Sequence, residues 1–302
     1  MSFIDKALER AKTLRQKKKT PIILLEKESV FQGPSPTPPW PEPEATTAGS
    51  ISYGITRTVS VNLEILQRNR MILGEEDDPI AEEYKLLRTH ILQRTKSEQL
   101  NVLMITGPLP GEGKTLTSIN LAISISQEVE RAALLVDADL RYPSMHRYFG
   151  IRGEPGLVDH LENGVPLSEV LVHPEGLGNL VLLPAGRRIS QGLELISSTR
   201  MADLVQELKH FYPDRYVLFD FPPLLSYADA LAFAPMVDGI IIVVEAGKTA
   251  REDIDRCLHM LKDFPVLGFV LNKVDTSQQS HYHYRNGRDD AKWKFPWFNW
   301  VK

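Results

Sequence analysis

The stretch GPLPGEGKT, residues 107–115, ends in residue types that hold phosphate. Gly111, Gly113, Lys114 and Thr115 match the second half of the loop G-x-x-x-x-G-K-[ST], with Pro108 where that pattern opens on glycine. Glycines let the backbone curl so that successive N–H groups point at phosphate oxygens, and a helix starting there adds its positive dipole end. Gly111, Glu112, Gly113, Lys114, Thr115 and Leu116 are therefore expected around a nucleotide's phosphates, with Lys114 on the β- and γ-phosphates and the Thr115 hydroxyl on Mg²⁺. Two acidic signals complete the set. LLVDADLR carries Asp137 and Asp139 after an aliphatic run, and YVLFDFPP carries Asp220 after another, followed by Pro222 and Pro223. Mg²⁺ is a hard cation held through one or two carboxylates plus phosphate oxygens and water. Three acids at strand ends beside a lysine-bearing loop would form a metal–phosphate site with a base to spare. A single Asp at a strand end is also a common helix cap, which is the plain alternative for Asp139.

These residues need elements to carry them. Apolar runs at 101–106, 131–139, 179–185, 215–221, 239–246 and 266–272 alternate with helical patterns. Near-continuous aliphatic strands are the mark of a parallel sheet covered on both faces. Helices fit at 114–127, 199–211, 228–236 and 250–263, after a first one in IAEEYKLLRTHILQRT. The expected fold is α/β, a doubly wound, mainly parallel sheet of the phosphate-loop NTPase type over residues 79–275. Ligands in such folds bind outside the carboxyl ends of the strands, where the three motifs fall.

The rest of the chain bounds the partners. Of 302 residues, 25% are charged and 42% hydrophobic, ordinary for a globular protein. No run approaches the ~18 apolar residues that span a bilayer. One cysteine, Cys257, excludes an internal disulfide and fits a reducing cytoplasm. The net charge of −4 divides as 0 over 1–79, −7 over 80–275 and +3 over 276–302. An acidic body argues against nucleic acid as a partner, and basic ends suit acidic partners, including peripheral contact with the inner face of a membrane. Residues 1–19 read as an amphipathic basic leader, fitting a docking helix and equally a solvated one. Residues 20–78 read as a linker with the Pro-rich segment PSPTPPWPEP at 34–43, and a short apolar piece at 59–66. The tail closes on WKFPWFNWVK, whose tryptophans suit a membrane interface, a partner groove or the protein's own body.

A loop with PGEGKT, then D-x-D-x-R (Asp137, Asp139, Arg141), then D-x-x-P (Asp220, Pro223) resembles the bacterial tyrosine kinases, the autokinases of polysaccharide synthesis and export. The likeness covers about residues 80–285, and the leader MSFIDKALERA further resembles the exosortase-associated subgroup. It implies an ATP- and Mg²⁺-dependent protein-tyrosine autokinase. Lys114 and Thr115 would bind phosphate and metal, Asp137 would sit by the metal and accept the tyrosine proton, Asp139 would assist it, and Asp220 would hold Mg²⁺ through water. The acceptors would be Tyr282 and Tyr284 in HYHYR. From Asp275 to Tyr282 an extended chain covers at most ~23 Å, too short for an easy return to its own site, which favours transfer between subunits. The family's oligomer motif E-x-x-R-x-x-R falls on Glu82, Lys85 and Arg88, with lysine in place of the first arginine. The likeness also implies a homo-oligomer, a membrane-embedded chain-length or co-polymerase activator and an opposing tyrosine phosphatase.

Two other switch classes share the loop. Partitioning-type ATPases carry a second lysine five positions before the invariant one, where this chain has Leu109. GTP-binding proteins read guanine through an NKxD motif, and NKVD stands at 272–275; the same position supplies Asn272 to adenine in the favoured reading.

Overall fold

The computed structural model describes residues 24–26, 56–73, 78–96, 100–128, 130–210 and 215–274. The leader, the Pro-rich segment and the tail with Tyr282, Tyr284 and its tryptophans lie outside them. In chain order the elements are β1 (Leu24–Glu26), β2 (Arg57–Val59), α1 (Leu63–Arg68), α2 (Pro79–Thr95), β3 (Val102–Thr106), α3 (Lys114–Ser126) and β4 (Ala132–Asp137). Then follow α4 (Met145–Phe149), α5 (Leu157–Asn163), α6 (Leu167–Val170), β5 (Val172–Pro174), β6 (Leu180–Leu183), α7 (Gly192–Ile196) and α8 (Thr199–His210). The chain continues through β7 (Arg215–Asp220), α9 (Asp229–Phe233), β8 (Gly239–Glu245), α10 (Arg251–Met260) and β9 (Val266–Asn272).

The strands form one sheet in the order β1-β9-β8-β3-β7-β4-β6-β5-β2. Its six central members, β9 to β6, are all parallel, and each of the six expected apolar runs is one of them. Antiparallel pairs occur only toward the edges, β1 with β9 and β5 with β6. Alternation along each strand sends side chains to two separate cores. Leu134 and Val136 of β4 join one with α8 and α10, and Ala133 and Leu135 join the other with α2 and α3.

The sheet reaches further upstream than residue 79. β2 pairs with β5, and α1 follows an Asn62 cap whose side chain accepts from the Glu64 N–H at 2.8 Å. Leu66, Met71 and Ile72 are buried, and the Ile72 N–H donates to the Asn120 side chain on α3. A three-residue strand beside a six-residue helix has too few turns to show a period, so from sequence this segment reads as irregular apart from the apolar piece at 59–66, a strand or helix candidate that α1 overlaps.

Helix α2 starts as its sequence predicts, with Asp78 accepting from the Ile80 N–H and Pro79 in the first turn. Strand order reverses around β3: the chain runs outward through α3 to β4 and β6, returns to β7, then leaves on the other side to β8 and β9. That reversal opens the crevice at the carboxyl ends of β3, β7 and β4.

Candidate active site

The loop from β3 to α3 needs two left-handed residues, and both are glycines: Gly111 at φ 81° and Gly113 at φ 92°. At Gly113 a Cβ would also stand 2.1 Å from the Asn272 amide nitrogen. Pro108 costs the loop nothing, because its backbone serves as an acceptor: Leu224 and Leu225 donate their N–H groups to the carbonyls of Gly107 and Pro108. The Thr106 hydroxyl donates to the Pro222 carbonyl, so the two prolines after Asp220 clip the loop's entry in place.

The loop's far side is strutted from β8 and β9. Asn272 donates its amide to the Glu112 carbonyl at 2.8 Å, and Lys273 donates to the Gly111 carbonyl at 2.6 Å while pairing with Glu245. Glu112 is itself buried, accepting from the Leu109 N–H and the Thr249 hydroxyl, and burial pushes its carboxyl up. Lys114 lies at the first turn of α3, 8% exposed, with its ammonium donating to the Leu109 carbonyl at 2.8 Å. Burial lowers its pKa, against the pull of Glu112, Asp220 and Asp139.

Asp137 and Asp220 end neighbouring parallel strands and are paired in register. Each stands two residues beyond a leucine of the α3-side core, Leu135 and Leu218, so both side chains leave the sheet toward the start of α3. Asp137 accepts from the N–H groups of Ser144 and Met145, yet burial and then the neighbouring Asp220 push it up to about 8. Asp220 accepts from the Ser118 hydroxyl at 3.0 Å and from Thr115, and burial pushes it up to about 7. Two buried carboxyls holding protons near neutrality form a site that favours added positive charge. Hydroxyl and carboxylate oxygens are the donors Mg²⁺ prefers. Among the described residues no three His, Cys, Asp or Glu side chains converge, so most of a metal's remaining ligands would come from phosphate and water.

Asp139 sits at the rim, accepting from the Tyr142 N–H at 2.9 Å. Burial raises its pKa and Lys114 opposes the rise. Arg141, the last residue of the D-x-D-x-R pattern, points elsewhere. It makes an ion pair with the buried Asp229 at 3.0 Å and stacks over the Tyr227 ring at 4.8 Å, fastening the loop after β4 to α9.

The fold thus brings Gly111 to Leu116, Asp137, Asp139, Asp220 and Asn272 to one crevice. Glu82, Lys85 and Arg88 lie apart, on α2: Glu82 and Lys85 pair with each other on the surface, while Arg88 donates to the Ser124 carbonyl and pairs with Glu128. Motif reading does not give Ser118, Thr249 or Asp229, and it names Lys273 only within NKVD, without its contact to the loop. Ser118 leaves a signal too, one helical turn after Lys114 on the buried face of α3.

A strand, a glycine loop and a helix, with two buried acids on adjacent strand ends, define a phosphate-loop NTPase. Residues 101–267 match the family model described as an AAA domain. "Tyrosine-protein kinase YwqD" of Bacillus subtilis (strain 168) is 32% identical over 227 residues, 74% of this chain and 94% of that one. "Succinoglycan biosynthesis transport protein ExoP" of Rhizobium meliloti (strain 1021) is 30% identical over 75% of this chain, which spans 29% of that protein's length. Among solved structures, the kinase domain of the Escherichia coli tyrosine kinase ETK superposes with a TM-score of 0.63 at 26% identity, covering 78% of this chain and 96% of that one. The chain belongs to the bacterial tyrosine kinase family.

Proposed function

We propose that the protein is an Mg-ATP-dependent tyrosine autokinase acting in exopolysaccharide production, with Tyr282 and Tyr284 as its acceptors. The observation that carries this reading is the Asp137–Asp220 pair beside Lys114 and Thr115, with Asp139 at the rim of the same crevice. Bound Mg-ATP supplies a γ-phosphoryl group whose charge the metal shares. Phosphoryl transfer then depends on positioning and charge neutralisation more than on covalent help.

Each residue has a part in that arrangement. Gly111 and Gly113 present N–H groups to phosphate, and Lys114 leaves the Leu109 carbonyl for the β/γ-phosphates. Thr115 and Asp220 hold the metal side, with Ser118 fixing one Asp220 oxygen. Asp137 holds a proton near neutrality without metal, and Mg²⁺ bound beside it would favour the ionised carboxylate, free to take the proton of the tyrosine hydroxyl. Asp139 steadies the acceptor side, and Asn272 reads adenine from the end of β9.

Transfer passes between copies of the chain, through contacts that include Glu82 and Lys85. The exposed apolar side chains Ile80 and Leu86 share that helix, while Arg88 braces α2 against α3 from within. A membrane-embedded activator and an opposing phosphatase complete the cycle, and the protein works in the cytoplasm, with peripheral contact at the inner face of the membrane. Among the described residues no helix is long and apolar enough to cross one.

Incubation with γ-labelled ATP or GTP, Mg²⁺ and the activator tests the reading. Label should enter the wild type from ATP, not GTP, and vanish in Lys114→Met. GTP bound and hydrolysed with no label entering the protein from either nucleotide would move it to the guanine-nucleotide switches.

A further inference from the structure

Next to the transfer site lies a second cavity that the proposed chemistry does not use. It measures about 630 Å³ and is lined in part by Tyr142, Arg147, Ile151, Arg152, Glu154 and Arg188. Tyr142 links it to the crevice, since Tyr142 lines the cavity and donates its N–H to Asp139. Three arginines and one glutamate line it along with His146, which leaves a net charge of about +2 with the histidine neutral.

The state of those arginines sets them apart. Arg88, Arg141 and Arg187 pair with Glu128, Asp229 and Glu162. By contrast, Arg147, Arg152 and Arg188 make no ion pair among the described residues. Arg147 donates to the Pro143 carbonyl, Arg188 lies over the Tyr142 ring at 4.6 Å, and Arg152 has no hydrogen bond among the described residues. Clustered like charges repel each other, so an unpaired cluster around a cavity keeps its binding capacity for an anion. Guanidinium forks match phosphate oxygens in pairs.

The walls narrow the choice of anion. Tyr142 is 52% exposed and with Ile151 and Pro143 gives the cavity an apolar side. An aryl phosphate uses both halves, setting its ring against Ile151 and Pro143 beside Tyr142 and its dianion among the arginines. Phosphoserine or free phosphate uses one half only.

We infer that this groove binds phosphotyrosine, and that its occupant is the phosphorylated tail segment around Tyr282 and Tyr284. The inference rests on the autokinase reading for the origin of the phosphate. Charge makes the binding conditional: residues 276–302 carry +3 before phosphorylation and are repelled by the groove. Each phosphotyrosine adds about −1.5 to −2 and reverses the sign locally. The groove would then retain the product tail beside Asp139 and keep it from re-entering as substrate.

A labelled synthetic peptide of residues 278–288, phosphorylated at both tyrosines, separates this claim from the kinase reading because no turnover is needed. Anisotropy with phosphatase-treated, full-length protein should show binding at least ~10-fold tighter than for the unphosphorylated peptide and for one with phosphoserine at both positions. The double variant Arg152→Ala, Arg188→Ala should lose ~10-fold or more while still binding Mg-ADP, and Arg152→Ala alone should lose part of it. Equal binding of the three peptides would overturn the proposal, as would undiminished binding by the double variant. Competition by inorganic phosphate at the peptide's own concentration would also overturn it. Label transfer to the tail without phosphopeptide binding would refute the groove and leave the kinase reading standing.

Discussion

Asp137 and Asp220 hold protons up to about pH 8 and about pH 7 in the folded protein. In an unfolded chain an aspartate loses its proton near pH 4, at about 3.9. The folded state therefore binds more protons across that window, and the stability this confers is full below about pH 4 and lost as pH rises through 7 to 8. Melting curves in EDTA should show a midpoint that falls from pH 6 to pH 8.5, each carboxyl contributing at most ~1.4 kcal/mol per pH unit. Asp137→Asn should flatten that fall and melt higher than wild type at pH 8.5, while losing ~10²-fold or more of its transfer rate. A variant that melts lower at pH 8.5 would show that the pair is not strained by burial. Ser118→Ala removes the hydroxyl that fixes one Asp220 oxygen. A calorimetric titration should find Mg²⁺-nucleotide bound ~10-fold more weakly, the usual scale for losing an outer-shell partner.

Among the elements, the loop after β4 depends on one ion pair. The Asp229 side chain is only 3% exposed, so removing Arg141 strands a buried charge. Arg141→Met should cost about 2 kcal/mol in denaturant unfolding, and the double variant with Asp229→Asn should recover part of it; simple additivity would mean the two do not act together. This contact also marks where sequence reading ends. The six central strands and the helices around them were legible because aliphatic runs such as GIIIVVE have no polar face to misplace. The loop was legible because Gly111, Gly113, Lys114 and Thr115 stand at fixed spacing. Arg141 was legible as part of a motif, but its job was not, since its partner lies 88 positions away on α9. Likewise Thr249 and Lys273 reach the loop only because β8 and β9 end beside β3, an adjacency fixed by strand order rather than by spacing. The neighbouring strands β2 and β5, three residues each at one side of the sheet, carry no periodic signal at all.

At the scale of the whole molecule, two cores flank one sheet and the crevice opens where the strand order reverses. Glu112, strutted by Thr249 and Asn272, ties the phosphate loop to the strand ends from which the tail departs. The exposed Leu86 on α2 belongs to the proposed contact between copies. Leu86→Glu should therefore shift light-scattering mass toward the monomer without changing the melting temperature of the monomer fold, and an unchanged mass would remove α2 from the interface. The central claim is that phosphate moves from Mg-ATP to a tail tyrosine of another copy. It is tested most directly by mixing two complementary variants with the activator: Lys114→Met, which keeps its tyrosines, and Tyr282→Phe, Tyr284→Phe, which keeps its site. Phosphosite mapping by tandem mass spectrometry should find phosphotyrosine at 282 or 284 of the Lys114→Met chain in the mixture and in neither protein alone. ATP hydrolysis by the mixture with no phosphotyrosine on that tail would contradict the account.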